Sequence, residues 1–323
     1  MGGVVDPATP STTPSTIVIY VDSGSSDQSI ALAESLGVEV VELDLSIPFT
    51  AARARNEGFG HLTSAYPEIE FVQFVDGDCE VVSGWIERAV EELNAKPQAA
   101  IVCGRRRERF PDASVYNAMC DIEWDTPIGE SRWCGGDAMM RVSALKQVKG
   151  YNPAVIAGEE PELCFRLRLR DWKIFRIDAE MTLHDAAMTR FGQWWKRSVR
   201  AGHAYAELCA MHAHESDERY FAREVRSNWF WGMILPIVAL ALIWPTRGWS
   251  LLLFLGYPLI AAKMYMRLGG TPLAAYTFFT VLGKFPQAIG QLKYYLDRKR
   301  GRTSRVIEYK GPAAEITRGS AAS

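Results

Sequence analysis

Phe71-Val72-Gln73-Phe74-Val75-Asp76-Gly77-Asp78-Cys79-Glu80 is the stretch on which the fold turns. An apolar run rich in β-branched and aromatic residues stops at two carboxylates flanking a glycine. The pattern reads as a buried strand that delivers Asp76 and Asp78 to the carboxyl edge of a sheet. Open α/β sheets bind their ligands at that edge. A pair of hard oxygen donors suits Mg²⁺ or Mn²⁺, and such an ion suits a diphosphate. Taken alone, the triplet is also an ordinary turn between a strand and a helix. The neighbouring motifs decide between the two.

Upstream, Ile17 to Val21 reads as a strand ending in Asp22-Ser23-Gly24-Ser25-Ser26-Asp27, followed by a helix through Ala31 to Leu36. Val38 to Leu43 is a second strand and Ala51 to Ser64 a second helix. Downstream, Trp85 to Leu93 reads as a helix and Ala99 to Cys103 as a strand. This alternation, continuing to about residue 185, predicts an α/β fold with a largely parallel, doubly wound sheet.

The chain has 323 residues and a net charge of -2, which argues against a nucleic-acid binder. Its cysteines, at 79, 103, 120, 134, 164 and 209, form no Cys-x-x-Cys and no zinc-like spacing. They are expected to be buried, reduced thiols. Residues 1–16 are Thr/Pro-rich, without the basic start and apolar core of a signal peptide, and are expected to be a disordered lead-in.

From Asn228 the composition changes. Trp229 to Trp244 and Trp249 to Ala262 carry no charge, and Leu273 to Leu292 is apolar apart from Lys284 and a few polar residues. The first two are shorter than the ~20 residues of a usual span, so a pair of buried core helices is the competing reading. Tryptophans flank both stretches, as in an interfacial aromatic belt, and favour a membrane. Pro245-Thr246-Arg247-Gly248 is a tight hairpin between them. Arg223, Arg226, Lys263 and Arg267 lie outside the hairpin, and Lys293, Arg298, Lys299, Arg300, Arg302 and Arg305 crowd the tail. By the positive-inside rule both ends are cytoplasmic, giving two crossings of the plasma membrane. The third segment, with Lys284 and Pro286, then fits an interfacial helix, and the tail fits anionic headgroups. The expected divisions are a lead-in at 1–16, a catalytic domain at 17–225, membrane helices at 226–292 and a basic tail at 293–323.

Several motifs fall in order. They are Asp22 to Asp27; Ala52-Arg53-Ala54-Arg55-Asn56-Glu57-Gly58; Asp76-Gly77-Asp78; Trp133 to Arg141 with Gly135-Gly136-Asp137; Gly158-Glu159-Glu160-Pro161; and Gln193-Trp194-Trp195-Lys196-Arg197. In that order and spacing, residues 17 to 210 resemble family 2 glycosyltransferases of the GT-A fold with a membrane-helix extension.

The resemblance implies roles. Asp22 takes the place of the acid that recognises the nucleotide base, with Ser23 where a second Asp is usual. Arg53, Arg55 and Asn56 face the donor; arginine suits phosphate because it bonds bidentately. Asp76 contacts ribose or metal, and Asp78 ligates the divalent ion, with His184 as a third ligand. Glu160 falls where the general base belongs, with Glu in place of the usual Asp, and Glu159 beside it. Gly136 and Asp137 form the acceptor-side loop, and Trp194 stacks on a sugar. The Arg-Trp order of processive relatives is missing after Gln193. Family members also begin with one more strand and helix than precede Asp22 here.

The resulting expectation is a membrane-associated, metal-dependent, inverting transferase. Its donor is a nucleoside diphosphate sugar, its acceptor a lipid-linked or growing glycan, and its cofactor Mg²⁺ or Mn²⁺. The alternative is a catalytically silent, membrane-anchored partner in glycan assembly. A sugar nucleotidylyltransferase would need a Gly-rich phosphate loop with a downstream Lys, which is not visible.

Overall fold

The structure is a computed structural model that describes residues 16–215, 220–268 and 274–301. The expected lead-in to residue 15 and the tail from residue 302, with Arg302 and Arg305, lie outside the described residues.

The opening alternation folds as expected: β1 (Ile19–Asp22), α1 (Ser29–Ser35), β2 (Glu39–Glu42), α2 (Ala51–Ala65) and β3 (Phe71–Phe74). Thr50 caps α2, its Oγ1 accepting from Arg53 N at 3.1 Å. β1 and β2 pair in parallel as a separate two-stranded sheet. α2 lies close against it; a Cβ at Gly58 would sit 2.7 Å from Val21 Cγ2.

The chain continues through β4 (Cys79–Val81), α3 (Trp85–Ala95), β5 (Ala99–Glu108), α4 (Val115–Trp124), β6 (Gly129–Ser131), β7 (Ala138–Arg141), α5 (Val142–Val148), α6 (Glu159–Arg168) and β8 (Lys173–His184). The main sheet has six strands in the order β3-β7-β5-β8-β4, with β6 on β8. It is mixed, which corrects the expectation of a largely parallel sheet. β5 and β8 are parallel, while β7 runs antiparallel between β3 and β5, and β4 and β6 are antiparallel to β8. The reason is local. After β5 and α4 the chain is still at the carboxyl edge, with Gly136 against Asp76. A strand that begins there must run back, so Ala138 pairs with Phe74 and Arg141 with Phe71.

The core lies between this sheet and its helices, around Trp85, Leu93, Ile101, Met140, Leu145, Leu163 and Ile174, all essentially buried. Trp85 Nε1 donates to Gln73 Oε1 at 2.8 Å, so its one polar atom is satisfied. At Gly104 a Cβ would lie 2.7 Å from Ala179 O and Met181 Cβ; only glycine lets β5 approach β8 so closely.

A long helix, α7 (Phe191–Met211), joins this domain to the C-terminal helices α8 (Ala222–Trp229), α9 (Leu235–Ala241), α10 (Gly256–Leu268), α11 (Ala274–Leu282) and α12 (Lys284–Lys299). Phe230–Ile234 is a π-helical turn between α8 and α9. Pro236, two residues after that turn, has no N–H for the preceding turn, which accounts for the break. Among the described residues, one helical run, Trp249–Arg267, is long and apolar enough to cross a membrane, by length and composition alone. α12, which begins in the segment expected at the interface and runs on into the expected tail, packs on α7. A Cβ at Gly202 would collide with the Gln287 carbonyl, and one at Gly290 with the Val199 carbonyl. Glycine on each helix thus lets backbone rest on backbone.

Candidate active site

Arg55 is the hub of the site. Its Nη2 lies 2.6 Å from Asp76 Oδ1 and its Nη1 2.8 Å from Glu159 Oε1. The guanidinium also sits over the Tyr151 ring, 5.4 Å from its centroid. One side chain of α2 therefore ties the end of β3 to the start of α6. Burial works against the Asp76 charge, but Arg55 and then Arg106 outweigh it and hold the carboxyl below its ordinary value.

Gly136 makes this meeting possible, because a Cβ there would stand 2.9 Å from Asp76 Oδ2 and 3.1 Å from Arg106 Nη2. Asp137 corrects the acceptor-side expectation. It is 0 % exposed, so it does not reach an acceptor. Its Oδ1 accepts from Asp76 N at 3.1 Å and its Oδ2 from Thr182 Oγ1 at 2.9 Å, with Arg106 Nη2 at 3.1 Å. Asp137 is a buried brace under the Asp76 turn.

Asp78 sits beside His184, Oδ1 to Nε2 being 3.3 Å. Cys79 completes a group whose ligand atoms all lie within 4.8 Å of one another. β4 pairs with the end of β8, Cys79 opposite His184, which brings the three together. Burial pushes the Cys79 thiol well up. Asp78 and His184 offer carboxylate oxygen and imidazole nitrogen, a set that fits Mg²⁺ or Mn²⁺.

Glu160 is 7 % exposed and faces the cleft. Its Oε1 accepts from Cys134 N at 2.6 Å and Cys164 Sγ at 3.0 Å. Burial raises its pKa, and those two hydrogen bonds only partly oppose the rise. Gly158, at φ 81, starts α6 in a left-handed turn, and three acids occupy the first turn where the helix dipole favours them. Tyr220 donates to Pro161 O at 2.6 Å and steadies the same turn.

A cavity of about 420 Å³ runs from Arg55, Asp76 and Gly136 past Glu159 and Glu160 to Arg200, Tyr205, Leu208 and Phe221. The far wall is one face of α7, of which the Gln193–Arg197 motif reached only Arg197; helical spacing on through Arg200, Ala204 and Leu208 carries the rest. Arg106 and Cys79 were also missed.

Four expected residues take other duties. Trp194 is 3 % exposed and packs with Met119, Cys120, Met188 and Phe279, which corrects its sugar-stacking role. Arg53 donates to the Ile47 and Asp44 carbonyls, each at 2.8 Å. Asn56 spends both ends of its amide on the Tyr151 backbone, at 2.7 and 2.8 Å. Asp22 accepts from Gly24 N at 2.7 Å and Ser25 N at 3.0 Å, an Asx turn outside the cavity lining.

Comparison with known proteins shows what the chain is similar to. Residues 11–147 match the family model "Glycosyl transferase family 2". A search of curated protein sequences found no match. Among solved structures, a mannosyltransferase from Pyrobaculum calidifontis, determined with GDP-Man and Mn²⁺, is similar at TM-score 0.54 and 16% identity. The match covers 85% of this chain and 77% of that one. S. aureus TarS residues 1–349, determined with UDP, match at TM-score 0.46 and 12% identity over 93% of this chain and 85% of that one. Residues 11–147 are thus similar to glycosyl transferase family 2, and the α/β fold with its mixed sheet is similar to that of the mannosyltransferase.

Proposed function

We propose that the protein is an inverting glycosyltransferase that moves a sugar from a nucleoside diphosphate donor to a hydroxyl of a lipid-linked or growing glycan. The observation that carries this reading is the Arg55 clamp. It joins Asp76, from the strand-end Asp76-Gly77-Asp78, to Glu159, next to Glu160 in the same cleft. Asp78 and His184, with Asp76 beside them, would hold a divalent cation. When bound, the cation supplies positive charge against the leaving diphosphate.

The chain's own residues do the rest. Glu160 accepts the acceptor hydroxyl proton while that oxygen attacks the anomeric carbon, and the bond from that carbon to the diphosphate breaks. A pKa raised by burial brings the carboxylate closer to the hydroxyl it must deprotonate. Arg55 keeps Asp76 ionised and in place. The α7 wall, with Arg200, Tyr205 and Leu208, offers the acceptor a charged and an apolar contact.

Membrane association is part of the proposal. Trp244 is 92 % exposed, and Trp249, Ile237, Leu240, Leu259 and Met266 are exposed near it. So large an apolar surface fits a lipid environment, with the catalytic domain on the cytoplasmic face of the plasma membrane. Anchoring there raises the local concentration of a lipid-borne acceptor.

One observation favours a second reading, a silent partner. β1, which ends at Asp22, the residue expected to recognise the base, pairs with β2 in a sheet separate from the one that carries β3. Calorimetry with UDP, GDP and dTDP, with and without Mn²⁺, separates the two. The transferase reading expects metal-dependent nucleotide binding, and transfer of a radiolabelled sugar that Asp78→Ala abolishes. Undiminished turnover in Asp78→Ala refutes the cation assignment; absence of nucleotide binding supports the silent partner.

A further inference from the structure

The base end of the cleft holds a second group of potential ligands. Cys164 and Glu160 stand four residues apart on α6, on one helix face. Cys134 arrives from the loop before β7. Its Sγ is 3.7 Å from Cys164 Sγ, and Cys164 Sγ is 3.0 Å from Glu160 Oε1. All three ligand atoms lie within 4.8 Å of one another, and all three residues are buried. A tetrahedral ion with bonds of ~2.3 Å to sulfur places two sulfurs about 3.8 Å apart. The same ion places sulfur and a carboxylate oxygen about 3.5 Å apart. The sulfur pair is already at that spacing, and a small turn of the Glu160 carboxylate opens the other.

We propose that Cys134, Cys164 and Glu160 form a binding site for a thiophilic divalent cation, Zn²⁺ as the natural case, that occupies Glu160 and stops transfer. Two thiolates and one carboxylate are a zinc donor set and a poor one for Mg²⁺ or Mn²⁺. The site is therefore chemically distinct from the oxygen and imidazole donors at Asp78 and His184. The two thiols lose their protons to solvent as the metal–sulfur bonds form. Glu160 opens on the cavity and gives the ion its way in. A fourth tetrahedral position is left for water. The binding site stands on geometry alone; the arrest of transfer rests on Glu160 as the base proposed above.

Cd²⁺ is the probe, because its thiolate bonds absorb in the ultraviolet. The purified 323-residue chain should bind one Cd²⁺ with a thiolate absorption band, displaced by Zn²⁺. Asp78→Ala and Cys79→Ser should keep the band, and Cys134→Ser/Cys164→Ser should lose it. Should circular dichroism show the double variant unfolded, the single variants decide. Each must then weaken Cd²⁺ binding beyond the ~10–100-fold typical of changes outside the ligand set. No thiolate band in the native chain, or a band that survives in a folded double variant, overturns the site. In the transfer assay with Mn²⁺ in excess, Zn²⁺ should inhibit and a chelator should restore activity. Inhibition unchanged in the double variant overturns the capture of Glu160. The spectroscopic arm needs no activity, so it reports on the site even where the transferase reading fails.

Discussion

At one end of the cleft the side chains of Asp76 and Asp78 are 38% and 37% exposed, and cationic or imidazole nitrogens stand beside them. At the other end Glu160 lines the cleft with one carboxylate oxygen held by a backbone amide and a thiol. Burial pushes both Asp76 and Glu160 toward the neutral form. Only Asp76 has arginines close enough to reverse the sign. One carboxylate is thereby favoured as a fixed charge, and the other is held nearer neutrality, as the proton acceptor of the proposed function would be. Two acids of one cleft acquire separate duties from their neighbours rather than from their own chemistry.

Replacing Glu160 tests the acceptor end and has the largest expected effect. Glu160→Gln keeps the shape and removes the base, so transfer should fall ~10²–10⁴-fold with donor affinity unchanged. Titration calorimetry beside steady-state rates checks both halves, and full activity would move the base elsewhere.

The bridge between the ends comes next. Lysine carries one compact ammonium and cannot reach Asp76 and Glu159 together. Removing a partner from a buried ion pair costs ~3–5 kcal/mol, and the partial exposure of Asp76 puts Arg55→Lys below that range. Urea unfolding measures it, and a loss under about 0.5 kcal/mol would show that the clamp is not holding the two ends together.

The smallest effect is in the pH dependence of stability, where the two ends must bend in opposite directions. The folded pKa of Asp76 is lowered, so its contribution is present above 3.8 and lost as pH falls through the folded value. Asp76→Asn should flatten that acid limb. Glu160 has a raised folded pKa, so stability declines as pH rises from 4.5 toward the folded value. Glu160→Gln should remove that decline. Unfolding curves across this range in both variants provide the check, and a change of the same sign in both would dissolve the contrast.

The alternation through β5, apart from the short β4, was legible because each β-branched run is bounded by Gly, Pro or Asp. The direction of β7 was not, since it depends on where the chain lies in space after α4. Arg53 and Arg55 show a limit that helical geometry itself imposes. Residues two apart on a helix point to well-separated directions, so one serves the cleft and the other holds the Asp44–Ile47 loop. Asp137 and Asp76 look alike in a sequence of acids beside glycines; only burial separates brace from site. Cys134 and Cys164 carry no metal spacing along the chain, because a loop and a helix bring them together. The Gly158-Glu159-Glu160 run was easier to single out, because its glycine and acids stand together at the start of α6.

α7 has two working faces. Arg200, Tyr205 and Leu208 line the cleft, while Val199 and Gly202 meet α12 with no side chain between the backbones. A cushion of rotamers would absorb a small tilt; bare peptide against peptide transmits it. The cleft wall and α12 are thus coupled without slack, and a tilt imposed on α12 would be passed to the wall.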